Sequence, residues 1–438
     1  MDRLVLDTSV FARSESRVRY YCRRFPAVFS RAVNETIWDE AGREYIDFFS
    51  AAGSLNYGHN HPKLKEALLS YIATDGLAIS LDMYSSAKAR FLERFEALLR
   101  VRLGGGFRVM FPGPTGTNAV EAALKLARKV TGRSRVAAFT NAFHGMTLGA
   151  LAATASRSKR QGAGVPLGDV DRYPYEGYHG AEVDTLAIID RMLCDPGSGH
   201  EPPAAFLLET VQGEGGLNAA SATWLRGLAA LCERHGSLLI VDDIQAGCGR
   251  ADQFFSFEFA GVRPDIVCLS KSLSGLGLPL SVLLLRETLD VWDPGEHNGT
   301  FRGNNHAFVT AAAALDFWED AAFEAQRQKL TATTEAWLEA QAARHGRERA
   351  LPKGRGMMRG LRLPSGEFAD QVCAGAFQQG LIMETSGSRG EVIKLMPPLT
   401  ADPGRIEQGL DIIARELARV LDGGEAATPD GDAAYARA

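Results

Sequence analysis

Two short apolar runs, each closed by an ionisable residue, constrain this chain more than any other feature. Leu238-Leu239-Ile240-Val241-Asp242 leads into Asp243-Ile244-Gln245, and Ile266-Val267-Cys268-Leu269 leads through Ser270 into Lys271 and Ser272. Uninterrupted apolar runs of this length, bounded by polar turns, read as strands buried on both faces, as in a parallel sheet covered by helices. Ligands of open α/β sheets bind beyond the carboxyl ends of the strands. The two runs therefore deliver a carboxylate and an amine to the edge where a ligand sits.

That pairing suits pyridoxal phosphate (PLP). A lysine joins its aldehyde as a Schiff base, and an aspartate keeps its pyridine nitrogen protonated. A lysine after a strand is ordinarily just a solvated strand end. Here Ser270 and Ser272 flank it, and Ser274-Gly275-Leu276-Gly277 supplies a small-residue loop with room for a bulky group. Asp242 alone could be a helix cap, but Asp243 and Gln245 follow in the same turn, and Gln245 can reach a phenolic oxygen. Phe111-Pro112-Gly113-Pro114-Thr115-Gly116-Thr117 opens an amphipathic segment whose buried stripe includes Val120, Ala123, Leu124 and Ala127. Free amides, the Thr117 hydroxyl and the helix dipole make an anion site there, although Thr117 would serve equally as a plain N-cap. Phe143-His144-Gly145 follows the predicted strand Val136–Thr140, where an aromatic ring can stack on a pyridine. Gly299-Thr300-Phe301-Arg302-Gly303 reads locally as an ordinary loop. No metal-ligand set is found, and no GxGxxG opens the first strand–helix unit, which sets aside a dinucleotide fold.

With 438 residues the chain exceeds a single small core. A net charge of −5 gives no extended nucleic-acid footprint. The six cysteines form no CxxC pair, and no run approaches a membrane span, so a reduced, cytoplasmic protein is expected. Residues 1–60 are read as an N-terminal arm and small-domain segment, with Thr36–Phe48 as two strands around an Ala-Gly turn. Residues 61–325 are read as a large ligand-binding domain of alternating strands and helices, among them helices Thr117–Val130 and Trp224–His235 closed by Gly132 and Gly236. Residues 326–422 follow as a C-terminal small domain in which Gly354–Leu361 reads as one glycine-punctuated strand. The Ala-, Gly- and Asp-rich stretch 423–438 is expected to be disordered.

Taken together, Gly116-Thr117, Phe143-His144-Gly145, Glu209-Thr210-Val211-Gln212-Gly213-Glu214-Gly215-Gly216, Asp242-Asp243-Ile244-Gln245, Lys271 and Gly299-Thr300 resemble the class III (ω-amino-acid) aminotransferases over about residues 20–420. The resemblance implies the PLP-dependent transferase fold of type I. In it a large α/β domain with a mostly parallel sheet joins a smaller α+β domain built from both chain ends. Within the class, Gly113–Ala123, Asp243–Arg250, Ser270–Gly275, Asn298–Gly303 and Arg19–Pro26 are similar to the diaminobutyrate–2-oxoglutarate transaminase subfamily, which makes the diamine precursor of ectoine. By resemblance, Lys271 is the Schiff-base lysine and proton shuttle, Asp242 the pyridinium partner, Gln245 the phenolic-oxygen contact and Phe143 the stacking ring. His144 would lie beside the cofactor, and Gly116 and Thr117 would hold the phosphate. Thr300 would reach that phosphate from a second subunit, implying an obligate homodimer with shared sites, or a tetramer built from it. The substrates implied are glutamate and an amino-acid semialdehyde.

Two departures stand out. Where many relatives carry an arginine that binds the glutamate α-carboxylate and otherwise pairs with a glutamate, this chain has Lys394 and Glu214, and lysine makes no bidentate fork. Met146 replaces the arginine that follows the His-Gly pair in GABA transaminases. Transaminases of ornithine, lysine or other diamines, an aminomutase or racemase, and a catalytically silent binder stay open as alternatives.

Overall fold

A computed structural model describes residues 8–423 of the chain. The stretch expected to be disordered, beyond Gly423, lies outside the described residues.

The central element is a seven-stranded sheet. Its order is Phe107–Met110, Val282–Arg286, Ile266–Leu269, Leu238–Asp242, Ala205–Leu208, Val136–Phe139 and Val170–Tyr173. Neighbours are parallel except around Val282–Arg286, which runs antiparallel to both of its partners. The strands from Val136, Ala205 and Ile266 are buried at every position. That is why they read as continuous apolar runs instead of alternating ones.

Helices cover both faces. Gly116–Thr131 lays Val120, Ala123, Leu124 and Ala127 against one side with Ile240, Ile266 and Leu283. Ala222–His235 and Ser86–Leu103 pack the other side with Phe91, Phe95, Trp224 and Leu228. Gly132 and Gly236 end their helices in the left-handed conformation, where glycine bears no side-chain penalty.

Both chain ends build the smaller α+β part. Phe29–Val33, Thr36–Asp39 and Glu44–Asp47 form a meander extended by Leu381–Ile382, which pairs in parallel with Ile46 and Asp47. A second antiparallel sheet holds Leu351–Arg355, Met358–Arg362, Val392–Leu395 and Glu384–Ser386. Here the sequence expectation needs correction: Gly354–Leu361 is two strands of a hairpin, not one. Gly356 sits at φ +60 in the turn between them, and a side chain there would collide with the backbone of Ala251 and Asp252. A long helix, Ala321–His345, and the amphipathic Pro403–Asp422 cover this part.

One side chain staples the two parts together. Arg250 is fully buried, and its guanidinium donates to Asn56 Oδ1 at 2.7 and 3.0 Å and to the carbonyls of Pro397 and Met357 at 2.6 and 3.2 Å. The following Asp252, at a left-handed φ of 99°, binds Arg327 on the long helix at 2.7 Å. Asp252 thus anchors the long helix. Among the described residues no helix is long and apolar enough to cross a membrane.

Candidate active site

The site forms where the strands around the sheet centre end. Asp242 is the last residue of its strand and stands in register with Cys268, three residues before Lys271. The ladder runs on for one more bond, from Asp243 N to the Cys268 carbonyl at 2.9 Å. Asp242 is buried, with Oδ1 accepting from Ile244 N at 3.2 Å and Oδ2 lying 2.7 Å from His144 Nδ1. His144 itself is buried, so a charged or polar partner is supplied on each side of the carboxyl group.

Lys271 opens a short 3-10 turn, Lys271–Ser274, with φ at 49°. A non-glycine residue held there costs about 1 kcal/mol or more, and such strain persists where surrounding contacts impose it. The flanking serines impose it. Ser270 Oγ donates to the Leu280 carbonyl at 2.7 Å, while Ser272 Oγ donates to the Gly53 carbonyl at 2.9 Å and accepts from Asn56 N at 3.1 Å. The ammonium end of Lys271 donates to the Ala52 carbonyl at 2.9 Å. Burial, only partly offset by Glu214, lowers the amine to about 8.

Ala52 belongs to an unusual segment. Ser50, Ala51, Ala52 and Gly53 all take positive φ, a single left-handed turn. It aims the Ala52 carbonyl at Lys271 and also at Gln245, whose Nε2 donates to it at 3.0 Å.

The anion site lies opposite. Thr115, not Thr117, is the N-cap of the Gly116–Thr131 helix, closing a capping box with Asn118. That leaves the Thr117 hydroxyl for other work; it contacts Thr147 Oγ1 at 2.6 Å. A Cβ on Gly116 would lie 2.9 Å from Ile244 Cδ1, so a side chain there would push Ile244 aside. One cavity is lined by Gly116, Thr117, Phe143, His144, Asp242, Gln245 and Lys271, and Glu214 also opens onto it. Phe143 presents one ring to Lys159 Nζ at 4.2 Å from its centroid, and its amide donates to Glu209 Oε2 at 2.9 Å. Thr300 does not line this cavity; it is exposed at the start of the Thr300–Gly303 turn.

Two acidic residues were given no role from sequence. Glu209 lines the cavity and accepts from the amides of Phe143 and Gly213, and burial lifts its carboxyl to about 7. Its position inside a Glu-Thr-Val-Gln-Gly-Glu run at a strand end was the available signal. Glu384 lies 2.7 Å from Lys394 Nζ, on the opposite side from Glu214 at 3.1 Å. Burial works against the charge on Lys394, but the two carboxylates outweigh it and hold the ammonium charged. Lys394 in turn holds Glu214 well below the usual carboxylate range against the effect of burial. Nothing local in Met383-Glu384-Thr385-Ser386 announces this contact.

The donor set fits PLP. A helix N-terminus with a hydroxyl that does not serve as its cap suits a phosphate, a buried carboxyl at a strand end suits a ring nitrogen, and a desolvated amine stands on the same cavity wall. Gln245 and Phe143 complete a polar edge and an aromatic face.

The comparisons with known proteins agree with this arrangement. Residues 20–417 match the model of the class III aminotransferase family. The chain is 53% identical over 416 residues to a diaminobutyrate–2-oxoglutarate transaminase of Halalkalibacterium halodurans, covering 95% of this chain and 97% of that one. It is 54% identical over 408 residues to one from Streptomyces anulatus, covering 93% and 97%. Among solved structures it is similar to the ornithine aminotransferase of Toxoplasma gondii, with a TM-score of 0.82 at 25% identity and 95% coverage of both chains. The acetylornithine aminotransferase of Elizabethkingia anophelis gives a TM-score of 0.75 at 26% identity, covering 94% and 98%. Family match, fold and cavity chemistry agree, and the chain belongs to the class III aminotransferases, enzymes that work with pyridoxal phosphate.

Proposed function

We propose that this aminotransferase moves the amino group of L-glutamate to the terminal aldehyde of L-aspartate 4-semialdehyde, producing L-2,4-diaminobutyrate and 2-oxoglutarate. The observation that carries the reading is the likeness at about half identity, over nearly the whole length, to several diaminobutyrate–2-oxoglutarate transaminases. The residues around the cavity support it.

Bound PLP supplies an electron sink for the pair released when a substrate C–H bond is broken. With the cofactor bound, Lys271 would serve as the base that takes and returns the substrate proton. An amine brought down to about 8 is a competent base near neutral pH, whereas an ordinary lysine is almost wholly protonated there. Asp242, steadied by His144 and by Ile244 N, holds a proton at the pyridine nitrogen. Gln245 would hold the phenolic oxygen, Phe143 would supply an aromatic face, and Gly116 with Thr117 would hold the phosphate. Thr300 completes the phosphate site of a neighbouring subunit in a homodimer. Closing the cavity with these groups keeps water from the reacting carbon.

The two half-reactions pose a charge problem. Glutamate brings a carboxylate to the reacting carbon, and the terminal amine of diaminobutyrate brings none. Glu214 and Lys394 form the adjustable pair: the lysine accepts the glutamate carboxylate, and Glu214 neutralises the lysine when no carboxylate is present. Steady-state turnover tests the reading. Glutamate with aspartate 4-semialdehyde should yield diaminobutyrate and 2-oxoglutarate in equal amounts, and a preference for making ornithine or lysine from their own semialdehydes would replace the substrate.

A further inference from the structure

Lys394 has two carboxylate neighbours where a simple switch needs one. Its strand, Val392–Leu395, pairs antiparallel with Glu384–Ser386, and Glu384 is the residue directly opposite Lys394. Directly opposed residues share a sheet face, so this contact is set by register and not by a mobile loop. Three oxygens surround the ammonium: Glu214 Oε1 at 3.1 Å and the Gly213 carbonyl at 3.4 Å accept hydrogen bonds from it, and Glu384 Oε1 stands 2.7 Å away as an ion-pair partner. An incoming carboxylate must displace one of them.

The three oxygens differ in freedom. Gly213 is backbone. The Glu384 side chain is 10% exposed and fixed by the sheet, while Glu214 is 28% exposed and opens onto the cavity. Glu214 is therefore the group that leaves, and Glu384 is the one that stays. With glutamate bound, its carboxylate and Glu384 share one ammonium. With a terminal amine bound, Glu214 and Glu384 share it, and no further anion is brought in.

We propose that Glu384 determines substrate preference. Fixed opposite Lys394, behind the Glu214 that lines the cavity, it leaves the cluster of two carboxylates and one ammonium with an excess negative charge, which penalises substrates that bring a carboxylate to this cluster and favours terminal amines. Glu384 also anchors Lys394, whose single point charge has no planar fork to orient it. Burial pushes the Glu384 carboxyl upward, as a group crowded by Glu214 and shielded from water should respond. The inference rests on the function proposed above, because it assigns opposite demands to the two half-reactions.

Glu384→Gln tests it, since the amide keeps the shape and the acceptor but removes the charge. Rate constants for the glutamate and diaminobutyrate half-reactions are measured separately on wild type and variant, each loaded with cofactor. The preference for diaminobutyrate over glutamate should fall by about tenfold in the variant, with the glutamate kcat/KM held or raised. Glu384→Ala, measured beside it, should move the ratio in the same direction. A ratio unchanged within twofold, equal losses in both half-reactions, or a shift toward diaminobutyrate would overturn the inference. If the wild type reacts with neither amine, the proposed function fails and takes this inference with it. If it reacts with both and only the variant ratio stays fixed, this inference alone is wrong.

Discussion

Lys271 concentrates two kinds of unfavourable energy in one residue: a left-handed backbone and an amine with too little water around it. Both make sense only if the site is meant to hold something the free side chain cannot satisfy. The consequence for the cofactor-free protein has a definite sign. The amine titrates near 8 in the folded chain against 10.5 ordinarily, so between those values the unfolded chain carries the extra proton. Stability then rises with pH across that window, and below it the buried charge is a fixed burden. Lys271→Met should therefore be more stable than wild type by about 2 kcal/mol at pH 7, and the difference should shrink as pH climbs from 8 toward 10.5. Chemical denaturation of both proteins at several pH values checks this; a difference that stays flat, or grows with pH, would contradict it. At the helix start, Thr115 takes the capping duty, so the hydroxyl of Thr117, two residues further in, is not spent on the cap and bonds Thr147 instead.

The left-handed turn Ser50–Gly53 is the element that sequence reading could not see. Ser-Ala-Ala-Gly carries no turn signal beyond its final glycine, and alanine is a helix former. Tertiary contacts override that preference: Ser50 Oγ donates to the Met396 carbonyl at 2.7 Å, and Gly53 receives the Ser272 hydroxyl. Ala51 sits exposed in this strained conformation, so Ala51→Gly should raise stability by about 1 kcal/mol with turnover retained. Thermal unfolding would show a higher midpoint, and a lower one would mean the turn is not strained. Other elements were legible for a physical reason. Strands buried on both faces leave unbroken apolar runs, so the ends carrying Asp242 and Lys271 stand out. The hairpin at Gly356 was not legible, because Gly354 and Gly360 on either side blur the one glycine that turns the chain. Glu384 was invisible for a different reason: its partner is ten residues away across a strand pair, and the third member of the cluster comes from the other part of the molecule.

Across the whole molecule, the site lies where the large sheet meets the part built from both chain ends. Lys271, Asp242 and Gly116 come from the former, and the Ala52 carbonyl and Lys394 from the latter, with Arg250 fastening the two. Thr300, exposed and outside the cavity, is the piece we propose completes the site of a second copy. That division predicts complementation. Lys271→Ala should be inactive and Thr300→Ala should bind PLP weakly, yet mixed dimers of the two contain one site with both residues intact. Unfolding and refolding the variants together should restore activity at limiting PLP, and failure to restore it would argue against sharing. The central claim is that one cavity serves two amines of different charge pattern, and half-reactions test it most directly. Glutamate, 2,4-diaminobutyrate, ornithine, lysine and GABA are each added alone to the PLP-loaded protein. The visible band of the lysine-linked cofactor is followed as it gives way to that of the amino form. Fast conversion with glutamate and diaminobutyrate, and slow conversion with the other three, is the predicted result. Conversion led by ornithine, lysine or GABA, or by none of the five, would contradict it.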